Sequence, residues 1–445
     1  MLALTTVLAA ATHLPASSLL RPAVVVPTRA AVPHMQTNSW RLDQEDHLWR
    51  KKKRTPVDTA ASQRCLARGR GYWQLAEQQA YILAPQTIGS AEYGMCDRAR
   101  QGFLVAHPNV SAGKRARTSA LHSWVPSSKD DTDCHALLKG NTTMPSIAVL
   151  TRAFCHRWAG RSILIVGDSI QFQLFVSFSA LFGAVPRARC DAACSKCNQK
   201  GEDITPSGRP KALEAALCGH RTADAVTLRY IVTPYLGPDP GQDPGNIHTR
   251  NTTEPKAVAS AREGQGAARA KQLELARKKS CYHWEAEMGE SHLVVLSLGT
   301  WRGFTEAEHA ERLGFVLTRL AKQRAAKSLP PISEGVVVRG THAATPDCFE
   351  LHDPLPPNDF DLTRYIRRVS EQNSLNGTAY NWDQFEGFNN VTRRVAAAHG
   401  VTYLDVYLAT ALRPGGRRPA FHDCLHYCLP GPPDDWVRML LMLWT

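Results

Sequence analysis

Two short motifs in this chain carry the residue types that nucleophilic acyl transfer needs. The first is Gly167-Asp168-Ser169, which follows an apolar run, and the second is Asp423-Cys-Leu-His426 near the C-terminus. A serine hydroxyl becomes a nucleophile when a base takes its proton, and an imidazole oriented by a carboxylate can act as that base. The pattern predicts Ser169 as the nucleophile, His426 as the base and Asp423 as the group that orients the imidazole.

The first motif lies where a strand is expected to turn into a helix. The apolar run at 162–166 predicts a buried strand, and the pattern at 171–182 predicts a helix. Gly167 allows a sharp turn between them. The N–H of Ser169 is then an unpaired donor at the helix start, and it can face an oxyanion that forms beside the serine.

The elements around this motif alternate along the chain. The hydrophobic pattern predicts strands at 162–166, 225–232, 293–298, 335–339 and 401–406, and helices at 171–182, 305–327 and 389–399. Such alternation indicates an α/β fold with a mostly parallel sheet that is covered by helices on both faces. Ligands of such sheets bind at the carboxyl ends of the strands, which is where Ser169 lies.

The domain organisation follows from the same patterns. Residues 1–60 are interpreted as targeting sequence and linker, and residues 61–150 as a loop-rich, cysteine-containing region that packs on the main domain. Residues 151–445 are predicted to form the catalytic domain. Two insertions are expected to interrupt it, at about 186–220 and 236–280.

Composition narrows the class of partner. The formal net charge is +13, but the basic residues are scattered apart from the run at 50–54. Few aromatic residues lie between them, so the sequence favours no nucleic-acid partner. Because no stretch of 18 or more residues is uninterruptedly apolar, no transmembrane helix is expected.

Cysteines and sequons indicate an oxidising compartment. The even number of cysteines favours disulfides, and the candidates are Cys65, Cys96, Cys134, Cys155, Cys190, Cys194, Cys197, Cys218, Cys281, Cys348, Cys424 and Cys428. Candidate glycosylation sites are Asn109, Asn141, Asn251, Asn376 and Asn390. An apolar start that ends in Ala9-x-Ala11 predicts a secretory signal, hence the Golgi lumen or the outside of the cell. The stretch as far as Arg41 has no acidic residue, so a plastid transit peptide is the alternative.

Two metal sites are alternatives to disulfides. His422, Cys424, His426 and Cys428 alternate along the chain in a pattern that a zinc site could use. The spacing Cys190-x3-Cys194-x2-Cys197 is that of an iron–sulfur motif. Disulfides explain both sets more simply in a secretory protein, so no metal is predicted.

Both motifs resemble the PC-esterase family of the GDSL/SGNH hydrolase group, which includes the plant trichome-birefringence-like polysaccharide O-acetyltransferases. The segment Asp423-Cys-Leu-His-Tyr-Cys-Leu-Pro-Gly-Pro-Pro-Asp-Asp-Trp436 is similar to that family's C-terminal motif, and Gly167-Asp-Ser-Ile-Gln-Phe-Gln-Leu-Phe175 to its N-terminal one. Looser similarity lies in the segments 294–301, 339–348 and 403–406. The resemblance covers about residues 90–443.

The resemblance implies an α/β/α sandwich in which Ser169, Asp423 and His426 form a triad. It implies an acyl-serine intermediate, most often acetyl, with a sugar hydroxyl or water as acceptor. The acyl donor would be acetyl-CoA or another acetyl ester, and no cofactor is expected. Candidates for oxyanion or substrate binding are Gly167, Asp168, Gly299 and Arg339. Cysteine bridges around the catalytic histidine would join Cys424 and Cys428 to separate partners.

The chain departs from the family pattern at three positions. Phe172 stands where the family usually has arginine, Thr345 where many members have histidine, and Thr300 where the plant members have histidine after glycine. An arginine beside the nucleophile would help to hold an anionic or polar group. The leading hypothesis is a carbohydrate O-acetyltransferase. A carbohydrate esterase and a catalytically silent glycan-binding protein on the same fold are the alternatives.

Overall fold

The computed structural model describes the second half of the chain most fully. The described residues are 64–66, 71–75, 104–106, 115–117, 122–126, 134, 147–189, 212–219, 224–232, 284–298, 305–345, 354–355, 361–376, 382–418, 423–427, 429 and 431–445. Residues 56–445 form one compact unit. The predicted targeting segment and the predicted insertion at 236–280 lie outside the described residues.

Thirteen strands lie within the described residues. In chain order they are β1 (Gly71–Leu75), β2 (Leu104–Ala106), β3 (Arg115–Arg117), β4 (His122–Pro126), β5 (Ser162–Gly167), β6 (Arg187–Ala188), β7 (Ala212–Leu217), β8 (Val226–Val232), β9 (Leu293–Leu296), β10 (Val336–Arg339), β11 (Thr402–Leu404), β12 (Arg417–Arg418) and β13 (Asp423–Tyr427).

Nine α-helices lie in the same part of the chain. They are α1 (Ile147–Trp158), α2 (Ser169–Leu181), α3 (Trp284–Met288), α4 (Glu306–Ala326), α5 (Ile332–Gly335), α6 (Leu362–Asn376), α7 (Phe385–Ala398), α8 (Tyr407–Ala411) and α9 (Pro432–Trp444). Two short 3₁₀ helices cover Trp382–Gln384 and Pro414–Gly416. No helix in the described part is both long and apolar enough to cross a membrane.

The centre of the fold is a seven-stranded sheet in the order β11-β10-β9-β5-β8-β7-β6. The five strands from β11 to β8 are parallel, whereas β7 and β6 run antiparallel at one edge. The predicted mostly parallel α/β sheet is therefore confirmed. The two edge strands come from the ends of the segment 186–220, which the sequence indicated only as an insertion.

Side chains of β5 alternate between two hydrophobic cores because successive residues of a strand point to opposite faces. Ile163 and Ile165 belong to the core that contains α1, α2 and α9. Leu164 and Val166 belong to the core that contains α4 and the end of α7. Helices thus cover both faces of the sheet, as an SGNH-like α/β/α sandwich requires.

The two-stranded antiparallel sheet of β1 and β4 contacts the C-terminal part of the chain. The Trp73 indole N–H donates to the Ala409 carbonyl oxygen at 2.8 Å, and the Trp124 backbone N–H donates to Asp435 Oδ1 at 3.1 Å. A disulfide joins Cys65 to Cys134 in the same region. The domain boundaries at 60 and 150 stay predictions.

Disulfides are confirmed among the described cysteines. Cys65 pairs with Cys134, Cys155 pairs with Cys218, and Cys424 is also disulfide-bonded. The other candidates lie outside the described residues: Cys96, Cys190, Cys194, Cys197, Cys281, Cys348 and Cys428. Of the glycosylation candidates, Asn109, Asn141 and Asn251 also lie outside the described residues, while Asn376 ends α6 and Asn390 is a half-buried residue of α7.

Candidate active site

A sharp turn connects β5 to α2 and places Ser169 at the first position of the helix. Gly167 has φ +154°, a conformation that L side chains rarely adopt, and a Cβ there would collide with the side chain of Gln171. The Asp168 carboxylate caps the helix because its Oδ1 accepts from the N–H groups of Ile170 (3.0 Å) and Gln171 (3.4 Å). The serine therefore stands at the carboxyl end of a central strand.

Hydrogen bonds to β8 and β9 fix the position of the same turn. The Tyr230 hydroxyl on β8 donates to the carbonyl oxygen of Asp168 at 3.0 Å. The side-chain amide of Gln171 donates to the carbonyl oxygens of Val166 (3.3 Å) and Val295 (3.4 Å). The backbone of the turn is thus tied to both strands that flank β5.

The structure brings Ser169 and His426 together. Ser169 Oγ lies 2.7 Å from His426 Nε2, although the two residues are 257 positions apart in the chain. Both side chains are half-buried, and so retain access to solvent. This distance is short enough for the imidazole to accept the serine proton.

Asp423 is the first residue of β13, the strand that carries His426. Its side chain lies outside the described part, so its role as orienting carboxylate stays a prediction. In a regular strand, residues three apart point to opposite faces. The pairing of β13 with β12 is irregular, however, since Arg417 opposes Tyr427 while Arg418 opposes Asp423. The backbone of β13 is therefore not that of a regular strand between Asp423 and Tyr427.

Arg417 binds the strand that carries His426 and the neighbouring segment 343–345. Its guanidinium donates to Thr345 Oγ1 (3.1 Å), to the Leu425 carbonyl oxygen (2.5 Å) and to the Ala343 carbonyl oxygen. It also lies over the Tyr427 ring, with Cζ 3.9 Å from the centroid. Arg417 is fully buried, so these contacts replace the water that a guanidinium would otherwise bind.

The residues predicted to bind an oxyanion or substrate occupy different places. Gly167 and Asp168 form the turn itself, and the Asp168 carboxylate acts there as a helix cap. Arg339 is buried and donates to Gln171 Oε1 (2.8 Å), Ser297 Oγ (3.0 Å) and its neighbour's carbonyl oxygen (2.6 Å). Burial lowers the pKa of Arg339 to about 10. Gly299 lies outside the described residues, and the proposed roles of all four stay predictions.

A second histidine, His342, lies in the core near this site. It packs against the ring of Tyr427 at 5.4 Å and is fully buried. Within the described residues neither ring nitrogen has a hydrogen-bond partner of good geometry, although the Leu425 backbone is close enough to favour the protonated ring. Burial, reinforced by the Arg417 and Arg339 cations, holds the pKa of His342 well below its ordinary value. The ring is therefore neutral at physiological pH.

Metal ligation receives little support at the C-terminal motif. Cys424 is in a disulfide and cannot supply a thiolate, while His422 and Cys428 lie outside the described residues. In the described part, no group of three or more histidine, cysteine, aspartate or glutamate side chains is arranged to hold a metal ion.

Two departures from the family pattern have structural places. Phe172 is half-buried, and its ring lies 5.7 Å from that of Tyr230. Thr345 is buried and accepts from Arg417. Thr300 lies outside the described residues. An aromatic contact thus occupies the position where an arginine would bring charge beside the serine.

Sequence reasoning missed four residues that build the site: Gln173, Tyr230, His342 and Arg417. Gln173 follows Ser169 by four positions, and residues four apart share a helix face, so its position was predictable. His342 lies in the loosely similar segment 339–348. Tyr230 and Arg417 reach the site only through the sheet order and the β12–β13 pairing, for which the sequence offers no local signal.

Comparisons with known proteins agree with the C-terminal motif. Residues 368–443 match the family model described as "PC-Esterase: GDSL/SGNH-like Acyl-Esterase family found in Pmr5 and Cas1p". The chain is 35% identical over 80 residues to "Xyloglucan O-acetyltransferase 4" of Populus trichocarpa. That alignment covers 15% of this chain and 19% of the relative's length.

The matched family segment includes α7, β11, the β12–β13 ribbon with His426 and most of α9. Ser169 lies outside the segment, and its link to the family rests on the Gly-Asp-Ser motif and on its contact with His426. The similarity to the PC-esterase family thus covers the C-terminal region of the chain, residues 368–443.

Proposed function

We propose that this protein transfers an acyl group through Ser169 to a hydroxyl of a polysaccharide or other glycan, and that the acyl group is acetyl. The observation that carries the proposal is the 2.7 Å contact between Ser169 Oγ and His426 Nε2 at the carboxyl end of a central strand. The PC-esterase match supports the acyl-transfer class, and the similarity to a xyloglucan O-acetyltransferase supports a carbohydrate acceptor.

The first half-reaction forms the acyl-enzyme. His426 Nε2 takes the Ser169 proton while Oγ bonds to the carbonyl carbon of the acyl donor, an acetyl ester or acetyl-CoA. The imidazolium then gives this proton to the leaving oxygen or sulfur as its bond to the acyl carbon breaks. Because Asp168 occupies the N–H groups of Ile170 and Gln171, the Ser169 N–H is the donor of this turn that we assign to the oxyanion.

The second half-reaction regenerates the serine. A glycan hydroxyl gives its proton to His426 while its oxygen bonds to the acyl carbon, and Ser169 Oγ leaves with the proton from the imidazolium. Asp423 would stabilise this imidazolium in both halves. Water in place of the glycan hydroxyl would make the same chemistry an esterase.

The test measures both products of the reaction. Purified glycosylated protein is incubated with a chromogenic acetyl ester, with and without xyloglucan-type oligosaccharides, and the sugars are analysed by mass spectrometry. Acetylated sugar is the expected product. Chromophore without acetylated sugar would indicate the esterase, and glycan binding without either product would indicate a silent binding protein.

Single substitutions connect the activity to the proposed residues. Ser169→Ala and His426→Ala should each abolish acyl transfer, and Asp423→Asn should lower kcat by about 10⁴-fold, as in other triads. The control is Ser177→Ala on the same helix, because that buried hydroxyl makes no hydrogen bond among the described residues. Full activity in Ser169→Ala would exclude the mechanism.

We also propose that the protein acts in the secretory pathway, in the Golgi lumen or outside the cell. The disulfides in the described part and the sequons support an oxidising, glycosylating compartment. Mass-spectrometric mapping of the mature N-terminus, the cysteine pairs and the glycans tests this proposal. A mature chain from plastids without glycans would favour the transit-peptide alternative.

A further inference from the structure

The side chain of Gln173 joins the helix that carries the serine to the strand that carries the histidine. Gln173 Nε2 donates to the Tyr427 carbonyl oxygen at 2.6 Å, and the Tyr427 N–H donates to Gln173 Oε1 at 3.0 Å. Gln173 and Tyr427 are both fully buried. A primary amide here pairs with one residue's N–H and C=O in the way that a neighbouring strand would.

The positions of these residues relate this pair of bonds to the reacting atoms. Gln173 lies one helical turn after Ser169, so both side chains leave the same face of α2. Tyr427 is the next residue after His426 in β13. Two simultaneous bonds fix both the separation of the two backbones and their rotation, whereas one bond would fix only the separation.

The histidine strand has little other backbone support. In the part of the chain that the structure describes, β13 pairs only with the two-residue β12 and is not a strand of the central sheet. The Thr345 N–H also donates to the Cys424 carbonyl oxygen at 3.4 Å, and Cys424 is in a disulfide. Gln173 adds a connection that starts from the serine helix itself. Arg417 holds the same strand against the segment that contains Ala343 and Thr345.

From this geometry we propose that Gln173 is a positioning residue for the Ser169–His426 pair. This inference rests on the proposed function. Without its two bonds β13 can shift relative to α2, and the distance between Ser169 Oγ and His426 Nε2 is no longer held. A displacement of about 1 Å in such a pair can lower a rate by about 10²-fold.

Two variants separate positioning from packing. Gln173→Met keeps the length of the side chain and removes both hydrogen bonds. Gln173→Glu keeps the shape: a protonated carboxyl can accept from the Tyr427 N–H and donate to its C=O, but an ionised one has no donor left. Ser179→Ala is the matched control, since it removes a buried hydroxyl whose hydrogen bond among the described residues stays within α2, to the Phe175 carbonyl oxygen at 2.9 Å.

The experiment uses the purified full-length protein and a fluorophosphonate probe. In the labelling reaction Ser169 Oγ bonds to phosphorus, fluoride leaves, and His426 takes the serine proton, so the rate reports on this pair without a glycan. Steady-state hydrolysis of a chromogenic acetyl ester gives kcat and KM, and urea unfolding reports on stability.

We expect Gln173→Met to lower both the labelling rate and kcat by about 10²-fold with KM little changed, while Ser179→Ala reacts like the wild type. Gln173→Glu should lose rate as pH rises through the ionisation of the new carboxyl, a decline that the wild type and Gln173→Met lack. Loss of stability alone would not produce this additional pH dependence in protein that remains folded.

Wild-type labelling rates in folded Gln173→Met would overturn the inference. If Gln173→Met fails to fold, Gln173→Glu decides: a pH profile with the wild-type shape would overturn the inference as well. Failure of the proposed function is distinguishable, because the wild type would then be labelled no faster than Ser169→Ala.

Discussion

The two segments that meet at the candidate site are built in different ways. The turn that carries Ser169 is contiguous, and a strand, a glycine and a capped helix follow one another within 162–181. The segment that carries His426 is a five-residue strand that pairs, among the described strands, with the two-residue β12. The serine is thus placed by a continuous strand–turn–helix unit of the central sheet, and the histidine by a short ribbon that depends on side-chain contacts such as those of Gln173 and Arg417.

Burial reinforces this difference. Four successive residues of β5, Ile163–Val166, are completely buried between the two cores, so the exit point of the strand is fixed by the sheet. The β12–β13 ribbon is held by the side chains of Gln173 and Arg417, by the disulfide at Cys424 and by the Thr345 N–H, which donates to the Cys424 carbonyl oxygen. Substitutions at these supporting side chains should therefore displace the histidine, whereas the serine should respond mainly to changes within its own turn.

The largest expected effect on the free energy of unfolding comes from Arg417→Met. The substitution leaves the buried carbonyl oxygens of Leu425 and Ala343 and the Thr345 hydroxyl without this donor. Each unsatisfied group costs about 1–3 kcal/mol, so the total loss should be about 4 kcal/mol. Urea unfolding measures this loss, and the probe-labelling rate of Ser169 should fall with it because β13 is released.

Arg417→Lys provides the comparison for that variant. Lysine keeps the charge but lacks the planar fork that reaches three acceptors at once, so it should restore only part of the stability and rate. If Arg417→Met were as stable and as reactive as the wild type, the histidine segment would not depend on this contact.

The strands and long helices around the site were predictable because their local signals agree with the tertiary packing. The apolar run at 162–166 became β5 at Ser162–Gly167, and the pattern at 305–327 became α4 at Glu306–Ala326. The helix has an apolar stripe together with a capping box at Thr305 and Glu308. In these places residues that are close to one another in sequence determine the structure.

Other elements depend on distant partners. β7 reads Ala-Leu-Glu-Ala-Ala-Leu, which has no strong strand preference, and pairing with β8 makes it a strand, with Glu214 accepting from Arg229 at 3.0 Å. The helix α9 is not among the helices that the hydrophobic pattern predicts, although it begins with two prolines and two acidic residues, a recognisable helix start. The Gln173–Tyr427 bonds join residues 254 positions apart and leave no local signal.

A smaller loss of unfolding free energy, about 3 kcal/mol, should occur when acid protonates a histidine that lies away from both segments. His309 on α4 is buried against Phe388 and bonds to Thr392 Oγ1 at 2.7 Å. Burial, with a contribution from the Arg312 cation, lowers the pKa of His309 to about 4. In the unfolded chain the pKa of this histidine is near 6.5. Between about pH 6.5 and pH 4 the unfolded chain therefore binds a proton that the folded chain does not.

Stability should therefore be complete above pH 6.5 and should fall as the pH drops from about 6.5 to about 4, by up to about 3 kcal/mol from this group. Urea unfolding of the wild type and of His309→Gln across this range measures the contribution. The variant should lose less stability than the wild type and should keep the Ser169 labelling rate at pH 7. An identical pH dependence in both proteins would exclude His309 as the source, and a slower labelling rate would show that α4 does influence the site.

The smallest loss of unfolding free energy, about 2 kcal/mol, should come from Gly167→Ala, a substitution in the turn that carries Ser169. The new methyl group would face the Gln171 side chain and the Ser297 carbonyl oxygen in a backbone conformation of φ +154°. Gly183, after the other end of α2, is the matched control because its φ is also positive, at +61°, but nothing lies within 4 Å of a Cβ there. Gly183→Ala should cost about 1 kcal/mol from backbone strain alone and leave Ser169 labelling unchanged. Gly167→Ala should cost more and slow the labelling, because the strain falls on the residues that orient the nucleophile. Equal labelling rates in the two variants would mean that the turn absorbs the methyl group without moving Ser169, and that the serine is held by more than its own neighbours in sequence.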